Sequence, residues 1–138
     1  MAMPYLMVRG AAAALEFYKK AFGGVETMRF EGPDGTIGHA EVLIEGAPIA
    51  LSDEWAGAGV SSPAQIGGTT MGIAVHVEDV DTFTRRAEAA GARVVRPVED
   101  QFYGERAATL RDPFGHVWYV STVTEKLTPE EMMRRMPK

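Results

Sequence analysis

The chain has 138 residues, the length of one domain able to bury roughly 68% of the surface its unfolded form would expose. Hydrophobic residues make up 46% and charged residues 24%, which excludes wholesale disorder and collagen-like structure. With 14 Lys and Arg against 19 Asp and Glu, the net charge of −5 argues against nucleic acid as a partner, and the lack of cysteine excludes disulfides, a thiolate nucleophile and Cys-ligated zinc. No apolar run approaches the ~18 residues of a membrane span, and Met1 to Gly10 lacks the pattern of a signal peptide. The expectation is a cytoplasmic protein with no membrane partner.

In chain order, Pro4 to Val8 (PYLMV) reads as a strand. Ala11 to Phe22 follows as a helix, with Leu15, Tyr18 and Phe22 at helical spacing and Gly23-Gly24 as its stop. Three strands come next, Val25 to Phe30, His39 to Ile44 and Pro48 to Ser52, separated by the turns Pro33-Asp34-Gly35 and Glu45-Gly46. The same grammar then returns after half the chain length. Ile73 to Val77 is a strand, Asp79 an N-cap, and Val80, Phe83, Ala87 and Ala90 form one helical face ending at Gly91. Strands over Arg93 to Val98, Arg106 to Arg111 and His116 to Val123 complete it, the last two joined by the turn Asp112-Pro113-Phe114-Gly115.

The reading is an α+β fold of two tandem βαβββ modules in a single domain spanning 1–138. Module one covers 1–53 and module two 71–124. The connector, 54–70, is rich in Gly, Ala and Ser and carries Trp55, as a lid or as a passive linker. A capping box at Thr128-Pro129-Glu130-Glu131 predicts a short terminal helix over 128–136 that packs or braces a dimer.

This double βαβββ pattern, with FYKKAFGG after the first helix and DPFGHVWYV closing the second module, resembles the vicinal-oxygen-chelate superfamily. That superfamily holds glyoxalase I, extradiol dioxygenases and bleomycin-resistance proteins. The segments PYLMVRGAAAALEFYKKAFGG, GHAEVLIEGAPIALSDE and RDPFGHVW are most similar to its PhnB-like, glyoxalase-related branch. The resemblance implies curved mixed sheets around a ligand cup, a homodimer pairing modules across chains, and metal ligands on the first and last strands of each module. Here those slots fall on Met3, Ala50, Gly72 and Tyr119, which do not suit a hard divalent ion. The expectation is therefore no metal and no cofactor.

Strand alternation gives the other residues expected to share the cup. In the first strand these are Met3, Tyr5 and Met7, and in the first strand of module two Gly72, Ala74 and His76. A two-residue turn at Glu45-Gly46 pairs Glu41 with Ala50 and His39 with Ser52, placing all four inside. Counting a four-residue turn from Asp112 to Gly115 pairs Ala108 with Tyr119 and Arg106 with Ser121, and turns Leu110 and Arg106 inward. Trp55, Phe102 and Tyr103 lie in loops at the approaches, the last two in a loop over Pro97 to Glu105, where rings either close over a ligand or pin the loops. His116 and Trp118 should face the helix layer or solvent.

His39 and Glu41 read as an acid–base pair or as a structural hydrogen bond. His39, Glu41 and His76 together offer a displaced metal site. His76 alone is a core histidine or a cup residue. Arg106 is an anchor for a carboxylate, phosphate or enolate oxygen, or else a salt bridge to Glu41. The leading expectation is a metal-independent small-molecule-binding protein, taking an apolar or aromatic ligand with an anionic group. The alternative is a lyase or isomerase with His39 or Glu41 as general base and Arg106 holding an oxyanion. A divalent-metal enzyme of the glyoxalase or dioxygenase type comes third.

Overall fold

Each half begins with a short strand that turns through glycine or a capped loop into a helix. In the computed structural model, which describes residues 1–138, β1 (Tyr5–Val8) leads to α1 (Ala11–Phe22), β2 (Val25–Glu31), β3 (Ile37–Ile44) and β4 (Ala47–Asp53). The second half repeats this order with β5 (Gly72–His76), α3 (Val80–Ala90), β6 (Arg93–Asp100), β7 (Glu105–Arg111) and β8 (Val117–Val123). The connector contains one turn of helix, α2 (Pro63–Ile66), which the sequence reading lacked, and the chain ends in α4 (Pro129–Arg135).

Two four-stranded mixed sheets result, ordered β1-β4-β3-β2 and β5-β8-β7-β6. The first strand of each is parallel to the last, and the other neighbours are antiparallel. α1 packs on the first sheet, α3 on the second, and the two helices pack on each other. The core therefore lies in a helix layer serving both sheets. Phe22 is central to it, with its ring 4.8 Å from Trp118 and 5.2 Å from Phe83. Leu15, Tyr18, Val80 and Trp118 are buried around it. The other face of each sheet is left without a covering helix.

Two carboxylates fix this arrangement. α1 starts at Gly10 in the left-handed region with no side-chain cap of its own. Asp53, at the end of β4, supplies the cap instead by accepting from the backbone N–H groups of Gly10 at 3.0 Å and Ala11 at 2.8 Å, while its second oxygen takes Ile37 N–H. Asp112 is buried and accepts four bonds, from Tyr18 Oη at 2.7 Å, Trp118 Nε1 at 2.9 Å, and the backbone N–H groups of Phe114 and His116. It thereby joins α1 to the second sheet. His116 is also buried, and its Nε2 donates to the Met7 carbonyl at 3.0 Å, tying β8 to β1.

The two hairpins behave differently. At Glu45-Gly46 both residues have positive φ, 51° and 78°, as a two-residue type I′ turn requires, and Ile44 pairs with Ala47 as expected. At the second hairpin the expected register is off by one. Gly115 has φ 93°, Asp112 N–H bonds to the His116 carbonyl at 2.9 Å, and Arg111 pairs with Val117 rather than His116. Asp112 and His116 thus close a three-residue loop, Pro113 to Gly115, with glycine in the left-handed bulge position. Because side chains alternate with period two, that single residue turns β7 over. Leu110 pairs with Trp118 and is buried in the core, not in the cup.

Candidate functional site

The open face of the first sheet carries odd-numbered residues of β3. Ala40, Val42 and Ile44 are buried on the helix side, so His39, Glu41 and Leu43 point the other way. Their strand partners place Tyr5 across from Ala50, Met7 across from Ser52, Met28 beside Glu41 and Phe30 beside His39. On this face three polar groups form a chain. Tyr5 Oη is 2.9 Å from His39 Nδ1, and His39 Nε2 is 2.8 Å from Glu41 Oε2. The Phe30 ring stands 5.9 Å from that of His39. Met7, Ala50 and Ser52 are buried on the floor, where Ser52 Oγ donates to the Asp53 carbonyl and approaches the Met7 sulfur at 3.5 Å.

The open face of the second sheet is a hollow of about 1010 Å³. Ala74, Val117, Ala107 and Tyr119 give it apolar walls, and His76, Glu105, Thr109, Ser121, Arg96 and Arg111 give it polar ones. His76 is exposed at its edge, with Nε2 3.4 Å from Glu105. Tyr103 also lines the hollow, and burial, reinforced by the charge of Glu105, raises its phenol above the ordinary value. Arg96 and Arg111 lie in no salt bridge, whereas Arg9, Arg29, Arg106 and Arg135 are each paired with a carboxylate.

Arg106 is a correction. It pairs with Thr122 in the sheet and points to the helix side, where Nε and Nη2 bond both oxygens of Asp81 on α3, at 2.8 and 3.0 Å. Asp100 adds a third contact at 3.2 Å. It belongs neither to the cup nor to Glu41. Trp55 is exposed in the connector and lines neither the hollow nor the Tyr5 chain. The expected loop from Pro97 to Glu105 is mostly strand: β6 runs to Asp100, and Gln101 to Gly104 form a tight turn closed by Gln101 N–H on the Glu105 carbonyl at 2.7 Å. Phe102 packs edge-on against Tyr103 in that turn and does not line the hollow.

Sequence reasoning missed Arg96, Arg111 and Thr109 on the second face and Met28 and Phe30 on the first. Arg96 was hidden by a bulge between Val94 and Arg96, and the other two of the second face by the slipped hairpin.

The residues do not fit the superfamily's metal. No three His, Cys, Asp or Glu side chains come together in a metal-holding group. At Gly72 a Cβ would overlap the Tyr119 ring, so the ring of one slot lies where the side chain of the other would project. A thioether, a methyl, a bare backbone and a phenol make no donor set for a divalent oxygen-loving ion.

Two βαβββ halves, each with a helix on one face of its sheet and polar residues or a hollow on the other, define a tandem-module α+β protein. The chain belongs to the Glyoxalase/Bleomycin resistance protein/Dioxygenase superfamily, which it matches over residues 2–120. An uncharacterised protein of Mycobacterium bovis, Mb0911c, is 40% identical over 136 residues, covering 96% of this chain and 90% of its own. Among solved structures, TioX from Micromonospora sp. ML1 superposes with a TM-score of 0.71 at 28% identity, covering 93% of this chain and 99% of TioX. The fosfomycin resistance protein FosX from Listeria monocytogenes, solved with Mn(II) and sulfate, shares the fold with a TM-score of 0.69 at 20% identity, covering 98% of this chain and 95% of its own.

Proposed function

We propose that the protein binds a small apolar or aromatic molecule bearing an anionic group, without a metal, in cups completed by a second copy of the chain. The observation that carries this is the hollow of the second sheet. It combines the Tyr119 and Tyr103 rings with the unpaired guanidiniums of Arg96 and Arg111, the mixture of apolar wall and few polar anchors typical of ligand sites. These arginines take the anchoring role that Arg106, committed to Asp81, does not fill. Pairing of copies is supported by the large side chains left uncovered on the edge strand of the first face, with Met28 38% and Phe30 62% exposed.

A thermal-shift screen of aromatic carboxylates and phosphates against their neutral isosteres tests the binding. The anionic compounds should raise the melting temperature, a ligand at a hundredfold excess over Kd adding about 2.7 kcal/mol. Arg96→Ala and Arg111→Ala should remove the preference for the anion. Equal stabilisation by the neutral isosteres, or one tightly held transition metal per chain in protein purified without chelator, would overturn this reading.

A second reading, a lyase or isomerase, is favoured by the hydrogen-bonded chain Tyr5, His39 and Glu41 on the first face, since a carboxylate that orients an imidazole is the usual support of proton transfer.

A further inference from the structure

Both ring nitrogens of His39 are occupied, and this determines which group can meet a ligand. A carboxylate only accepts, so Glu41 Oε2, 2.8 Å away, holds the proton on Nε2. In the neutral imidazole Nδ1 is then the bare nitrogen, and the contact at 2.9 Å is Tyr5 Oη donating to it. The imidazole lone pair is directed at a phenol, not at the open face. Tyr5 is 45% exposed there, while His39 and Glu41 side chains are each only 25% exposed.

We infer that Tyr5 is the reactive group of the first face and that His39 and Glu41 are positioning residues acting through it. When Tyr5 Oη takes a proton from a bound molecule, its own proton passes to His39 Nδ1; when it attacks an electrophile, the bond from that centre to its leaving group breaks as the new bond forms, the leaving group takes the electron pair, and the phenol proton again goes to Nδ1. The imidazolium so formed keeps its Nε2–H on Glu41, whose charge stabilises it. No proton is lost and no further reactant is needed. This is the logic of a serine–histidine–carboxylate triad with a phenol in the place of the hydroxyl. The proposal gives the second reading above its reacting atom, yet it concerns the chain without ligand and stands or falls separately from anion binding.

Tyr119 provides an internal control. It is 52% exposed on the open face of the other sheet, and its hydroxyl makes no hydrogen bond to a base. An arylsulfonyl fluoride would be the probe. The phenol oxygen bonds to sulfur, fluoride leaves, and the phenol proton goes to the neighbouring base. Digestion and mass spectrometry then give the rate at each tyrosine.

Tyr5 should react about a hundredfold faster than Tyr119, the lower end of general-base assistance. His39→Asn and Glu41→Gln should each lower the Tyr5 rate to that of Tyr119 while leaving Tyr119 and the melting temperature unchanged, and Tyr5→Phe should leave only the slow labelling. Equal rates at Tyr5 and Tyr119 in the parent protein, or a fast Tyr5 indifferent to both substitutions, would overturn the inference. A purely structural hydrogen-bond chain predicts that indifference.

Discussion

Position 72 shows how one missing side chain decides what its neighbour does. Tyr119 lies over Gly72 so closely that Gly72→Ala forces the ring away, and the ring is a wall of the hollow. The substitution should weaken ligand binding in the thermal-shift assay more than it lowers the melting temperature of the free protein. Asp112 is the opposite case, a residue whose loss is felt in stability. Removing it as Asp112→Ala leaves the Tyr18 and Trp118 donors and two backbone N–H groups unpaired in the core, a loss on the order of 4 kcal/mol measurable by urea unfolding.

Tyr18 also sets a pH limit. Burial, then the charge and hydrogen bond of Asp112, hold its phenol well above the ordinary value. The folded chain therefore keeps a proton that the unfolded chain gives up above about pH 10. The contribution of Tyr18 to stability should be level below that and fall as pH rises beyond it, and the alkaline fall should be shallower in Tyr18→Phe; unfolding midpoints at about pH 9 and about pH 11 measure both.

At the level of elements, the cap on α1 comes from a residue 43 positions beyond Gly10. Asp53→Ala should cost about 1–2 kcal/mol, in the range of N-cap losses, and should also loosen the start of β3 through Ile37. The two hairpins explain what was legible in the sequence and what was not. Glu45-Gly46 fits a two-residue turn, so the shared face of His39, Glu41 and Ala50 followed from residue type and parity, once the resemblance had marked Ala50 as a cup position. Asp112-Pro113-Phe114-Gly115 admits a four-residue turn or a three-residue turn with a glycine bulge, and local turn chemistry does not separate them.

The signal that separates them is tertiary: opposing Leu110 to Trp118 buries two large apolar side chains together, whereas the slipped register puts Leu110 beside a ligand. That one count moved Arg106 to Asp81 and brought Thr109 and Arg111 to the open face. The mutual position of α1 and α3 was illegible for a related reason, since two amphipathic helices of similar pattern do not declare whether they cover their own sheets only or also each other.

For the whole molecule, the helix layer takes up one face of each sheet and leaves the other uncovered. The Tyr5 chain and the arginine-lined hollow lie on different sheets, and the proposed cup joins them around one ligand by pairing two copies. Light scattering should give twice the monomer mass, and Phe30→Asp, on the uncovered first face, should shift it toward the monomer with little change in the spectrum of the folded chain. A monomer that binds aromatic anions with full affinity would instead place the whole site on the second sheet.

The Asp112 junction makes the repeated halves interdependent. Tyr18 of the first half finds its hydroxyl partner only in the second, and His116 of the second finds its carbonyl only in the first. Neither half alone satisfies these buried groups, so a substitution on one uncovered sheet face leaves the seam untouched, whereas one at Tyr18, Asp112 or His116 is felt by both halves.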